Sequence, residues 1–147
     1  MKRIASLILA VSFALSLFAL NFATPAAAEV ADADRAVIQS LIDGQIDAFR
    51  RDDGQAAYNF ASPAIRSIFP SADIFMEMVR TGYLPVYRPQ SFTFGPLLET
   101  AAGPVQRVFI TGPDGQSYVA EYALQRQPDG TWKINGCTLI KDTSPTI

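Results

Sequence analysis

The chain has 147 residues, 49% hydrophobic and 18% charged, with a net charge of −2. That balance suits one globular domain and excludes a disordered chain or a polybasic nucleic-acid arm. The lack of histidine and the single cysteine, Cys137, remove the commonest general base, the commonest transition-metal ligand and any disulfide within the sequence.

The first element is a targeting signal. Lys2 and Arg3 precede an apolar run from Ile4 to Phe22, and Thr24-Pro25-Ala26-Ala27-Ala28-Glu29 follows. A charged start, an apolar middle and an Ala-x-Ala site predict a secretory signal peptide over residues 1–28, with the mature chain starting at Glu29. The run nearly matches the span of a bilayer, but Ser6, Ser12, Ser16 and Asn21 interrupt it. A periplasmic or secreted protein with no stable membrane anchor after cleavage is expected. Cleavage removes two basic residues and no acid, so the mature domain, residues 29–147, is more acidic than the whole chain. Its basic residues are scattered, which argues against a nucleic-acid partner.

Helical spacing comes next. Val37, Ile38, Leu41, Ile42, Ile46 and Phe49 recur at three- and four-residue intervals after Asp32 and Asp34, predicting one amphipathic helix over about 34–51. Gln39, Asp43, Asp47 and Arg50 fall on its solvent face. Asp53 is placed to cap a short second helix through Tyr58 and Phe60, and Ser62-Pro63 to start a third carrying Ile65, Ile68 and Phe69. Ser71 caps a last helix whose inward residues are expected to be Ile74, Phe75, Met78 and Val79, with Gly82 ending it in a positive-φ conformation.

Between Gly82 and Phe94 the chain changes character. Pro85 and Pro89 bias Leu84 and Arg88 away from helix, so an extended arm is expected. It gathers Tyr83, Tyr87 and Arg88, two amphipathic rings and a planar donor suited to a carboxylate, and these are the candidate binding residues together with Tyr58. The competing role for Arg88 is a structural ion pair with an acid such as Glu77 or Glu99, the tyrosines then sealing the end of the fold.

Residues 91–98, 105–111, 116–126 and 131–140 read as strands, joined by short Gly- and Pro-rich turns that favour an antiparallel meander. Tyr118, Ala120, Tyr122 and Leu124 alternate against Val119, Glu121, Ala123 and Gln125, which predicts one packed face. Gly136 marks a bulge that turns Cys137 toward the core, where it reads as a small buried hydrophobe. The fold class expected is α+β, with N-terminal helices packed on a curved four-stranded antiparallel meander.

The runs Gln45-Ile46-Asp47-Ala48-Phe49, Tyr58-Asn59-Phe60-Ala61-Ser62-Pro63, Gly82-Tyr83-Leu84-Pro85-Val86-Tyr87-Arg88-Pro89 and Trp132-Lys133-Ile134-Asn135-Gly136-Cys137 resemble an exported bacterial family known as a domain of unknown function, DUF4864. The order of elements is similar to that of the cone-shaped nuclear transport factor 2-like superfamily. That resemblance implies helices packed into the concave side of the sheet to form a cone, frequent dimers through the sheet, and a range from non-catalytic binding modules to ketosteroid isomerases and polyketide cyclases. The reading carried forward is an exported, non-catalytic module that binds an unknown small molecule or peptide, with no cofactor, no metal site and no catalytic residue assigned. One alternative is an isomerase- or cyclase-like enzyme using a carboxylate, Asp73 or Glu121, with Tyr58, Tyr118 or Tyr122 as hydroxyl donors. Another is a structural or interaction protein, such as a homodimer, acting through its sheet face.

Overall fold

The computed structural model describes residues 32–144. The signal peptide and its cleavage site lie outside the described residues. Helix α1 (Asp32–Arg50) buries Ile38, Ile42, Gln45, Ile46, Ala48 and Phe49, and carries Asp32 and Asp34 in its first turn and Arg50 in its last, matching the helix dipole. Val37, expected inward, is half exposed, because the buried stripe runs through Ile38, Ile42 and Ile46 and leaves Val37 on its flank. Asp52 then reverses the chain with φ 55°, a left-handed conformation that an aspartate tolerates better than most side chains.

Three short helices follow, each started by the residue expected. The carboxylate of Asp53 accepts from Ala56 N at 3.0 Å to open α2 (Gly54–Asn59). The Ser62 hydroxyl accepts from Ile65 N at 3.3 Å, with Pro63 in the first turn of α3 (Pro63–Ile68). The Ser71 hydroxyl accepts from Ile74 N at 3.2 Å at the start of α4 (Ala72–Gly82). Each cap satisfies an amide that a helix start leaves without an internal partner. On α4 the buried residues are Phe75, Met76 and Val79, whereas Ile74, expected inward, is exposed. The start of α2 crosses here, so that a Cβ added to Gly54 would sit 2.8 Å from Met76 Cγ; this contact turns the helix toward Met76.

The expected extended arm is a helical turn. Tyr83 ends α4 with φ −132° and ψ 37°, and α5 (Leu84–Tyr87) follows at once. Tyr87 N and Arg88 N donate to Tyr83 O and Leu84 O, both at 2.9 Å. Pro85 stands in the first turn, where its missing N–H costs nothing, and burial of Pro85 and Val86 draws the turn onto the core. Gly82 is the last residue of α4 and does not take a positive φ. Arg88, before Pro89, has left the helix at φ −135° and ψ 62°.

The strands β1 (Ser91–Thr100), β2 (Gly103–Thr111), β3 (Ser117–Arg126) and β4 (Trp132–Lys141) form one antiparallel sheet in the order β1-β2-β3-β4. The register slips twice. Between Phe94 and Leu97 the carbonyls freed on β1 are met by the fully buried Gln106, whose side-chain nitrogen donates to Gly95 O at 2.8 Å. On β4, Ala123 pairs with Gly136 and Leu124 with Ile134, leaving Asn135 as the extra residue. The bulge therefore falls where Gly136 indicated it. These bulges bend the sheet, and α1 packs its buried stripe against Val108, Ile110, Ala120, Tyr122, Leu124 and Ile134 on the inner face. Two ties hold the layers in place. Trp132 Nε1 donates to Asp34 Oδ1 at 3.1 Å, joining the start of α1 to β4. The α2–α3 junction is bonded to β4 by Ser62 N to Ile134 O at 2.8 Å and Ser62 Oγ to Asn135 Oδ1 at 2.7 Å.

Candidate functional site

Behind α4 and α5 the layers do not close completely. A cavity of about 280 Å³ remains, walled by Phe49 of α1, Phe75 and Val79 of α4, Val86 of α5, and Tyr122 and Ile134 of the sheet. The β4 bulge makes part of this space, since Gly136 contributes no side chain and Cys137 is the next inward residue. No charged side chain lines the cavity. Its polar groups are Gln45, Tyr83, Tyr122 and Cys137.

Two of these groups are hydrogen-bonded within the protein. Gln45 Nε2 donates to Ala57 O at 3.2 Å, and the Tyr83 hydroxyl donates to Cys137 O at 2.9 Å. Burial, then the neighbouring Cys137, raises the pKa of Tyr83. Tyr122 differs. The residue is 1% exposed, and its hydroxyl is the one buried side-chain polar atom without a hydrogen-bond partner among the described residues. Burial, with a smaller effect from Cys137 directly across the strand pair, lifts its pKa well above the ordinary phenol value. The phenol is therefore a neutral donor at any physiological pH. Cys137, expected to be buried, is only partly so; the protein packed around its thiol still pushes the pKa up to about 12, so it too is neutral.

Of the four binding residues expected from sequence, only Tyr83 reaches the cavity wall. Tyr58 lies in the helix layer, donating to Phe69 O at 2.6 Å with its ring 5.6 Å from that of Phe75. Tyr87 and Arg88 are bound to the α1–α2 turn. Arg88 Nη2 lies 2.7 Å from Asp52 Oδ2, Arg88 Nη1 donates to Phe49 O, and the guanidinium stands 3.8 Å from the centre of the Tyr87 ring. The Tyr87 hydroxyl donates to the other oxygen of Asp52. That hydroxyl first, and Arg88 second, hold the Asp52 carboxyl below its ordinary range. The acid that Arg88 meets is thus one presented by the reversed turn after α1, which helical periodicity does not locate.

The carboxylates weighed for acid–base work lie elsewhere. Asp73 is in the first turn of α4, and Glu121 pairs with Arg107 at 2.9 Å; neither lines the cavity. The Tyr118 hydroxyl donates to Asp114 at 2.7 Å in the β2–β3 turn. Among the described residues no group of three or more His, Cys, Asp or Glu side chains could hold a metal ion, and no helix is long and apolar enough to cross a membrane. Sequence reasoning passed over Gln45, yet its signal was present, because this amide sits on the apolar stripe of α1 between Ile42 and Phe49. Tyr122 was placed on the packed face, but an unpartnered hydroxyl has no signature in a strand pattern.

Helices packed on a bent antiparallel sheet, with an apolar hollow beside α4 and α5, define an α+β domain. The chain belongs to the family described as domain of unknown function (DUF4864), which matches it over residues 31–147. No curated protein and no solved structure matches the chain.

Proposed function

We propose that the protein is an exported, non-catalytic binding module whose site is the cavity behind α4 and α5. The observation that carries this reading is an apolar cavity of about 280 Å³ between α1, α4, α5 and the sheet. Protein cores pack to crystal-like density, so core packing alone does not account for a space of this size. The volume lies near the lower end of the range for small-molecule pockets and is too small for an extended peptide. In this reading Tyr83 touches the ligand, Tyr87 and Arg88 fasten the α5 wall to the α1–α2 turn, and Tyr58 supports Phe75 from behind. The order of helices and bent meander supports placing the family among the cone-shaped nuclear transport factor 2-like proteins, a kinship of fold that carries no activity with it. The pattern of residues 1–28 supports export to the periplasm or beyond.

Ligand-observed NMR of the purified protein against a mixed library of small neutral, acidic and basic compounds tests the binding reading. Val79→Phe, which fills the cavity from α4, is expected to abolish binding while the circular dichroism spectrum is retained. Absence of any saturable binding to the wild type, or binding that survives Val79→Phe, overturns it.

A second reading has its own support on the outer sheet face. Phe109 and Ile140, each 45% exposed, both pair with Val119 and form an apolar row across three strands. A homodimer through this face would be split by Phe109→Lys, with light scattering as the measurement.

A further inference from the structure

Resting on the cavity as the ligand site, we infer that its ligand donates a hydrogen bond to the side-chain amide of Gln45, and is an uncharged, mostly apolar molecule of about two rings bearing a hydroxyl or N–H group. Helix α1 shows the cavity two side chains, Gln45 and Phe49, one turn apart on one face. An amide on this buried stripe is costly unless its hydrogen bonds are made.

The fold accounts for one of those bonds. Gln45 Nε2 donates to Ala57 O at 3.2 Å, a carbonyl that also accepts from Phe60 N at 3.3 Å. A primary amide carries two N–H donors and a carbonyl oxygen with two acceptor positions, so one N–H and the whole of Oε1 are left. The Tyr122 hydroxyl is the one fully enclosed side-chain polar atom without a partner among the described residues. Gln45 Oε1 accepts from none of them either, so the protein does not enclose it. The residue is only 3% exposed, and the open surface of this oxygen is therefore turned to the cavity that Gln45 lines rather than to bulk water.

An apolar cavity of about 150 Å³ holds benzene, and this one measures about 280 Å³, room for roughly a fused pair of rings. Phe49, Phe69 and Phe75 form its aromatic side, with the Phe75 ring centre 6.4 Å from that of Phe49 and 6.2 Å from that of Phe69. No lysine, arginine, aspartate or glutamate lines the space, so an ion entering it would lose hydration and meet no counter-charge. Among neutral groups, an ether or ketone serves the spare N–H alone. A hydroxyl gives its hydrogen to Oε1 and accepts from that N–H as well.

The test is a double-mutant cycle in which 2-naphthol, 2-methoxynaphthalene and 2-methylnaphthalene are titrated by ligand-observed NMR against wild type and Gln45→Leu. Ala57 O keeps Phe60 N in the variant, and retained binding of 2-methylnaphthalene shows that the cavity is intact. From wild type to Gln45→Leu, the affinity of 2-naphthol relative to 2-methylnaphthalene should fall by about five- to tenfold, the yield of one neutral hydrogen bond. The fall for 2-methoxynaphthalene should be smaller, since it has no hydrogen to give. Should Gln45→Leu bind none of the probes, Gln45→Met, closer in shape to glutamine, takes its place. An unchanged ratio, or an equal fall for 2-naphthol and 2-methoxynaphthalene, overturns the inference. If Val79→Phe abolishes binding in either case, the cavity remains the site and only its chemistry was misread. Failure of all three probes to bind wild type overturns the inference together with the reading it rests on.

Discussion

Arg88 and Asp52 show how a side chain suited to recognition is taken up by the fold. The guanidinium donates to the carbonyl at the end of the buried stripe of α1, pairs with Asp52 and covers the ring of Tyr87. Arg88→Leu removes all three interactions at once. It is expected to lower the melting midpoint by about 5 °C, since hydrogen bonds from charged donors are the stronger kind. The lowered pKa of Asp52 gives the contact a pH signature. A carboxyl depressed in the folded state contributes stability that is fully present above its unfolded pKa, about 3.9, and lost as pH falls through the lower folded value. Asp52→Asn should therefore flatten the loss of stability below about pH 4, measured by denaturant titration across the acid range; an unchanged acid limb would show that the contact is screened away at this exposed turn.

Cys137 is a residue-scale case of the opposite sign. With its pKa raised to about 12 by burial, the thiol is almost wholly protonated at pH 8, and the thiolate is the reactive form. Native labelling by a maleimide at pH 8 should be on the order of a hundredfold or more slower than in denaturant. The stability this neutral thiol contributes is present below the unfolded pKa and lost as pH rises toward 12. Fast native labelling would mean that the partly exposed thiol is reached and ionised without the raised pKa.

At the scale of elements, the short helices depend on their caps to different degrees. Ser71 accepts one amide from a half-buried position, and Ser71→Ala should cost about 1 kcal/mol. Ser62 is fully buried, caps α3 and donates to Asn135 at the bulge of β4. Ser62→Ala removes the cap and leaves a partly buried amide oxygen without that donor, so about 2 kcal/mol is expected from urea titration. Similar costs at the two positions would show that the tie between helices and sheet matters little. Helix α5 illustrates the limit of local signals. Pro85 reads equally as a break after Leu84 and as a first-turn residue, and burial of Pro85 and Val86 decides between them.

For the whole molecule, the address and the fold are separable. Residues 1–28 predict removal at Ala28, so intact mass of protein recovered from the cell envelope should correspond to a chain beginning at Glu29. A full-length product held in the membrane fraction would make the apolar run an anchor. Within the domain, the sequence alone determined the α+β class, the order of elements other than α5, the caps at Asp53, Ser62 and Ser71, the four strands and the bulge at Gly136, because each follows from local geometry or from period. Tertiary structure alone decided which side of α4 faces inward, that the arm coils into α5, that Arg88 meets Asp52, and that a hollow remains beside Tyr122. Those outcomes depend on how separate elements meet in space, where a cavity is the part of the interior that no residue fills and a strand pattern records only which residues point toward it.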